Sequence, residues 1–317
     1  MTSVNAGITP AARPVTRKVD PPRRRLRLTR YVTRWLFVAP AIVFVGVFFG
    51  YPIVKNVTMS LQNYTTTTFY TGEAPWVGFA NYIAVTGSSL FSTTLINTAL
   101  FTVGSIVVQF ILGLGLALFF KRNFPLNGFL RSLLLLPWLL PLIASSAVWR
   151  WILDQDSGVL NQFLGIFGIP HTPWLVSPNL ALVAVVGVNI WLGIPFNTTI
   201  LYSGLQAVPQ ELYEAASLDG ATGWKAFWHI TWPSIRSVVS VVIVLGVVYT
   251  LKVVDLILGL TGGGPANSTE TLATWTYQKS FVQFAFGQGA AISNVLIVVS
   301  LVFAMVYLYI SRKEVTE

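Results

Sequence analysis

Six apolar runs, each long enough to cross a bilayer, constrain this chain more than any other feature. They extend over about Trp35 to Val54, Thr93 to Phe120, Phe129 to Leu153, Asn179 to Leu201, Val238 to Leu260 and Ala290 to Tyr309. A hydrocarbon core about 30 Å thick takes about 20 apolar residues to cross at a helical rise of about 1.5 Å. No water reaches backbone N–H and C=O groups there, so each run must satisfy them within itself, as a helix. Composition agrees, because a chain that is 54% hydrophobic and 10% charged lacks the roughly 25% charged residues of a soluble domain. The predicted fold class is an all-α polytopic membrane protein with six transmembrane helices.

The net charge of +9 would suggest a nucleic-acid partner if it covered a soluble surface. It does not, because nine of the 20 Lys and Arg lie between Arg13 and Arg34, ahead of the first apolar run. With the N-terminus inside, Lys121, Arg122, Arg131, Lys225, Arg236, Arg312 and Lys313 join them on the cytoplasmic side. Only Lys55, Arg150 and Lys279 fall outside, while Lys252 lies within the fifth run. The bias of basic residues toward the cytoplasm therefore predicts that both termini are inside. Residues 1–30, rich in Pro, Thr and Arg, are predicted to form a disordered basic tail. Within it, Arg23 to Arg30 could also meet anionic lipid head groups. The remaining 31–317 is expected to be one transmembrane domain with its core at about 93–309. Cysteine is absent, which excludes disulfides, thiolate metal sites and cysteine nucleophiles.

Between the fourth and fifth runs lies a moderately polar island, Glu211 to Pro233, that the topology places in the cytoplasm. Pro209 suits the first turn of a helix, where its missing N–H costs nothing, and Glu211 and Glu214 put negative charge where the helix dipole favours it. Gly220 is placed to end that helix. A second short helical run, Trp224 to Ile230, is predicted to stop at Pro233. The island thus reads as helix, glycine turn, helix, a compact knob in place of a floppy connection. By physics alone it would equally serve as an ordinary amphipathic link between two membrane helices.

Its residues do more than that. Glu214, Ala215 and Ala216, then Gly220, then Ile230 and Pro233 fall in the register of the Glu-Ala-Ala, three residues, Gly, nine residues, Ile-x-Leu-Pro loop, and Asp219 precedes the glycine. On these residues the chain resembles the permease subunits of binding-protein-dependent ABC importers. Trp232 stands where the family usually has Leu, one large apolar side chain for another. Further stretches resemble the branch that serves sugars and related solutes such as maltose and glycerol-3-phosphate. These are Trp76 to Tyr82, Trp149 to Leu164 with Gly158-Val-Leu-Asn161, and Leu260 to Leu272. The resemblance covers roughly residues 31 to 312. It implies the type I ABC importer permease fold and a multi-pass subunit in the cell membrane. It also implies a second homologous permease subunit, an ATPase subunit dimer beneath the knob and an extracytoplasmic solute-binding protein. Glu214 would meet a partner in the ATPase. ATP and Mg would belong to that ATPase, with no cofactor on this chain.

Chemistry elsewhere is sparse. Gly262, Gly263, Gly264 and Pro265 cannot continue a helix, and no Lys-Ser/Thr follows to make them a phosphate loop. A tight outer turn that receives the binding protein fits them better. Asp154-Gln-Asp156 could be a metal-binding pair in a membrane enzyme, but beside Ser157-Gly158 it reads as an outer turn. His171 and His229 lie on opposite sides of the membrane and cannot share a metal. The chain is therefore expected to transport and not to catalyse. For a solute, Asn189, Trp191 and Asn197 in span four and Tyr249 and Thr250 in span five offer amide, hydroxyl and aromatic surfaces, although helix packing alone would also use them. Lys252 and Asp255, three apart, are expected to pair on one helix face. The positions that the resemblance places at a midplane solute site are Gly246, Thr250 and Val253, small or apolar, which leaves more of the site to the partner subunit. The rival reading is a secondary transporter of a small polar solute, driven by an ion gradient. It would need intramembrane acids, and apart from Asp255 the six spans contain none.

Overall fold

A computed structural model of the chain describes residues 25–316. Most of the predicted basic tail, residues 1–24, lies outside them. The chain parts into two units between Val54 and Lys55. The first runs through α1 (Arg25–Val45), a π-helical turn (Gly46–Gly50) and the start of α2 (Tyr51–Ser60). A helix thus begins at Arg25, ahead of the predicted end of the tail at residue 30. The stretch Trp35–Ser60 is apolar and long enough to cross a membrane.

In the second unit the elements are α3 (Thr66–Thr71), α4 (Ala80–Thr86), α5 (Ser89–Phe120), α6 (Asn127–Leu134), α7 (Leu136–Leu139), α8 (Leu142–Ile152), α9 (Val159–Gly165), α10 (Pro178–Gln206), α11 (Gln210–Leu218), α12 (Trp224–Ala226), α13 (Trp232–Leu251), α14 (Asp255–Leu260), α15 (Leu272–Tyr277) and α16 (Phe286–Thr316). Two further π turns, Phe227–Thr231 and Gln278–Val282, interrupt them. Spans two, four and six fall on α5, α10 and α16, each longer than the apolar run that predicted it.

The ends of α5 show why it stops where it does. Ser88 caps its start by accepting from the Leu90 N–H, and Asn127 closes its end by donating to the carbonyls of Phe120 at 2.8 Å and Arg122 at 2.6 Å. α5 and α10 form the spine of the unit. Lipid tails are as apolar as leucine, so close backbone approach and polar contacts hold such a pair. At Gly113 a Cβ would come within 2.7 Å of Asn197 Cβ, and at Gly193 it would strike the Gln109 carboxamide. Below this crossing, Ala117, Leu201, Leu205, Ile235 and Val239 bury one cluster; above it, Phe101, Val185, Val188, Leu256 and Ile257 bury another.

Two spans differ from the sequence expectation. Phe129 to Leu153, expected as one helix, is instead bent by 97° between α7 and α8. Pro141 accounts for it: its ring disfavours the helical conformation at the residue before it, and Leu140 adopts ψ 138°. Span five is displaced toward the knob. It runs as a continuous helix from Trp224 to Leu251 and breaks at Lys252–Val254 before α14, which packs against α8. Pro233, expected to stop the second knob helix, does not. It sits in the first turn of α13, and the preceding π turn, closed by Trp232 N–H to Phe227 O, accommodates the donor that Pro233 lacks.

Candidate functional site

The knob has the predicted order of helix, glycine turn and helix. Pro209 precedes α11 as its cap, extended at ψ 135°, one position earlier than expected, and Glu211 occupies the first turn. At the other end Ala221 N–H bonds Ala216 O at 2.8 Å and Gly220 N–H bonds Ser217 O at 3.2 Å. Those two bonds, with Gly220 at φ +74°, form a Schellman stop. A second glycine with positive φ, Gly223 at +54°, leads into α12. The second arm of the knob is therefore the root of span five, with no joint between them.

Glu211, Glu214, Ala215 and Asp219 face solvent, Ala216 is half-buried, and Gln210 Nε2 donates to Glu214 Oε1 at 3.1 Å. Beside them Leu218 is 89% exposed and Trp224 72%, an apolar presentation that a solvated loop has no use for. Ile230 packs inward with Tyr213 and Trp232, so it holds the knob to the membrane helices and is not part of the open face. His229 stays on the surface, its Nδ1 2.9 Å from Lys225 O.

A cavity of about 550 Å³ lies among α5, α7, α8, α10, α13 and the break after α13. Of the residues proposed from sequence for a solute pathway, Asn189, Gly246, Tyr249, Thr250 and Val253 line it, as does Asn197. Trp191 does not: its ring packs 5.3 Å from that of Trp149 in the upper core. Sequence reasoning missed Gln109, Trp138 and Phe196. Gln109 Nε2 donates to Asn189 O at 2.8 Å and ties α5 to the cavity wall. Trp138, Phe196 and Tyr249 form a ladder of rings, with centroids 6.0 and 5.8 Å apart. Gln109 carried a legible signal, because it is a carboxamide set among Ile106, Val107, Val108, Phe110 and Ile111 in the middle of span two.

Lys252 and Asp255 also line the cavity, but the expected ion pair is not formed. α13 ends between them, so they flank a break and do not share a helix face. The Lys252 ammonium sits over the Tyr249 ring, 4.7 Å from its centroid. The Asn189 amide nitrogen is buried in the wall without a partner. Aromatic faces beside unspent donors and acceptors suit a polyhydroxylated ligand. A larger groove of about 600 Å³ among α5, α13 and α16 is almost wholly apolar, which suits lipid and not a polar solute.

The glycine turn after α14 is as tight as expected. Gly262 and Gly263 have φ +65° and +90°, and Thr269 N–H returns to Gly263 O at 3.2 Å. Asn97 of α5 donates to Asn267 O and Glu270 O, and Leu272 N–H bonds Thr98 Oγ. Pro265 is half-buried and only Gly262, Ala266 and Asn267 stand open in the turn. The Asp154 turn is likewise local: its carboxylate accepts from the N–H groups of Ser157 and Asp156 and from the Ser157 hydroxyl, and those bonds hold its pKa below the ordinary range.

Glu270 stands apart. It is 4% exposed with Oε1 unpartnered, and burial pushes its pKa from 4.5 up to about 7, against a smaller opposing pull from the Thr274 hydroxyl. Below about 4.5 the carboxyl is protonated folded or unfolded, whereas between there and about 7 only the folded state keeps the proton. Stability should therefore fall as pH rises across that window and level off above it, by up to about 3 kcal/mol. Thermal unfolding of the purified protein at pH 5 to 8 measures this, and Glu270→Gln should flatten the profile; a profile unchanged by that substitution would contradict the assignment.

Known proteins align with this arrangement. Residues 109–315 match the family described as binding-protein-dependent transport system inner membrane component. The trehalose/maltose transport system permease protein MalF of Thermococcus litoralis is 34% identical over 278 residues, which covers 88% of this chain and 93% of that protein. The sulfoquinovosyl glycerol transport system permease protein SmoG of Agrobacterium fabrum is 32% identical over 292 residues, 89% and 94% of the two chains. A crystal structure of a bacterial alginate ABC transporter, in complex with an alginate pentasaccharide-bound periplasmic protein, superposes with a TM-score of 0.77 at 21% identity. That superposition covers 92% of this chain and 98% of the matched one.

Proposed function

The chain belongs to the family of binding-protein-dependent transport system inner membrane components, and from that membership we propose that it forms one half of the membrane pathway of an ATP-driven importer for a carbohydrate or a related polyol. It is a transport subunit and not an enzyme. The observation that carries the solute class is the 550 Å³ cavity, where the Trp138, Phe196 and Tyr249 rings stand beside Asn189, Gln109 and Thr250. The relatives named for trehalose/maltose and sulfoquinovosyl glycerol transport support that class. A second permease would complete the pathway, an ATPase dimer would dock on the knob with Glu211, Glu214, Ala215, Asp219 and Gly220 at the contact, and a solute-binding protein would deliver from outside near Gly262 to Pro265. Basic-residue asymmetry supports cytoplasmic termini.

The test is uptake of labelled oligosaccharides into vesicles that hold this chain, its partner permease and the ATPase, with the binding protein outside. Uptake should require ATP within and persist when ionophores collapse every ion gradient. Uptake without ATP, abolished by ionophores, would refute the reading.

A further inference from the structure

Glu211 and Glu214 face solvent from α11, whereas Tyr213 turns back toward the membrane helices and is half-buried. Its hydroxyl accepts from Lys121 Nζ at 3.0 Å and lies 2.9 Å from Thr231 Oγ. The same ammonium sits 4.2 Å from the centre of the tyrosine ring. Three elements meet at this one side chain. Lys121 is the residue that follows α5, and Thr231, 4% exposed, ends the π turn at the foot of α13.

An exposed lysine by itself holds an element in place weakly. Here it acts with a hydroxyl pair reaching into the protein and with the face of a ring, a combination that fixes direction as well as distance. The same two helices continue to the cavity. α5 carries Gln109, bonded to Asn189 O, and α13 carries Gly246, Tyr249 and Thr250. Helices this regular transmit displacement along their length, so what grips their ends steers their middles.

We propose that Tyr213 is the positioning residue through which displacement of the knob moves α5 and α13 as one body, its hydroxyl latched between Lys121 and Thr231. This rests on the coupling role assigned above to the knob. The latch is separate from the docking face, because the residues offered to the ATPase point the other way. Its loss should therefore leave docking intact and reduce the work obtained from each ATP.

Tyr213→Phe keeps the ring and the cation–π contact but removes both hydroxyl bonds. In the reconstituted complex, ATPase copurification should match the unmodified protein, and solute moved per ATP hydrolysed should fall at least about fivefold, the factor that one ordinary hydrogen bond contributes to an equilibrium, since two are lost. Thr231→Val, which removes one of the two bonds, should give a fall of about fivefold, and Thr231→Ser, which keeps the hydroxyl, should retain coupling. Loss of ATPase copurification in Tyr213→Phe would overturn the proposal, because Tyr213 would then belong to the docking face. An undiminished ratio in both Tyr213→Phe and Thr231→Val would also overturn it. In that case Gly220→Val tells the two readings apart: uncoupling there leaves the knob's role standing without the latch, and its absence removes both.

Discussion

Gly220→Val should abolish productive coupling between ATP hydrolysis and transport. The argument is conformational and not steric. A Cβ at position 220 would meet nothing within 4 Å, but the backbone is held at φ +74°. An L-residue with a Cβ pays about 1–2 kcal/mol there, and a β-branched one more. That energy is set against two hydrogen bonds, Ala221 N–H to Ala216 O and Gly220 N–H to Ser217 O, which form the stop of α11. Once they break, the helix unwinds toward Glu214 and the exposed Leu218 loses its place. Substitutions at this position should rank by their tolerance of the left-handed region, with Asn nearest to Gly, Ala intermediate and Val worst. Solute-stimulated ATP hydrolysis and ATPase copurification should both drop about tenfold or more in Gly220→Val, in line with a cost of 1.4 kcal/mol or above. Equal values for Gly, Asn and Val would show that the turn does not matter to coupling.

Val253→Trp should reduce uptake to background while the complex still assembles. Val253 is half-buried on the wall of the cavity, next to the break after α13, so an indole there projects into free space. Thr250 is 5% exposed, and the same substitution at that position would strain the packing between helices as well as fill the path. The companion change, Tyr249→Ala, removes a ring that stands half exposed in the cavity. It should raise the solute concentration needed for half-maximal uptake about fivefold, for an aromatic contact of about 1 kcal/mol, and leave the maximal rate nearly unchanged. Normal uptake by Val253→Trp would move the pathway elsewhere.

What the sequence made legible follows from which interactions are local. Four of the six spans were readable as they stand because a helix in lipid satisfies its own backbone, so length and hydropathy suffice. The stop at Gly220 was readable because a Schellman motif spans only six residues. Pro141 and Pro233 show the limit. Both are prolines within apolar or amphipathic stretches, yet one bends the chain by 97° and the other sits in a continuous helix. The difference lies in the π turn before Pro233, a backbone choice that no residue near it announces. Lys252 and Asp255 have the spacing of a helical pair but lie across a break, so the i, i+3 rule had no helix to act on. Trp191 has the chemistry of a sugar platform, and only its contact with Trp149 shows that it is spent on the core. Gln109 was missed because reading stopped at spans four and five, although an amide amid apolar residues is conspicuous in any span.

The latch at Tyr213 belongs to the same class of hidden features. Lys121, Tyr213 and Thr231 are polar residues of ordinary kind, distant in sequence, and only the fold brings them together. With them the knob, α5 and α13 form a continuous physical path from the proposed ATPase contact to the cavity.

The central claim, that a separate ATPase meets this chain at the knob, has a direct test. The chain has no cysteine, so Ser217→Cys on exposed α11 or Ala266→Cys in the outer turn introduces a single thiol. In intact cells given a membrane-permeant reagent that joins a thiol to a nearby amine, Ser217→Cys should cross-link to the ATPase and Ala266→Cys should not. Cross-linking of the ATPase through Ala266→Cys, with none through Ser217→Cys, would contradict both the orientation and the coupling role assigned to this loop.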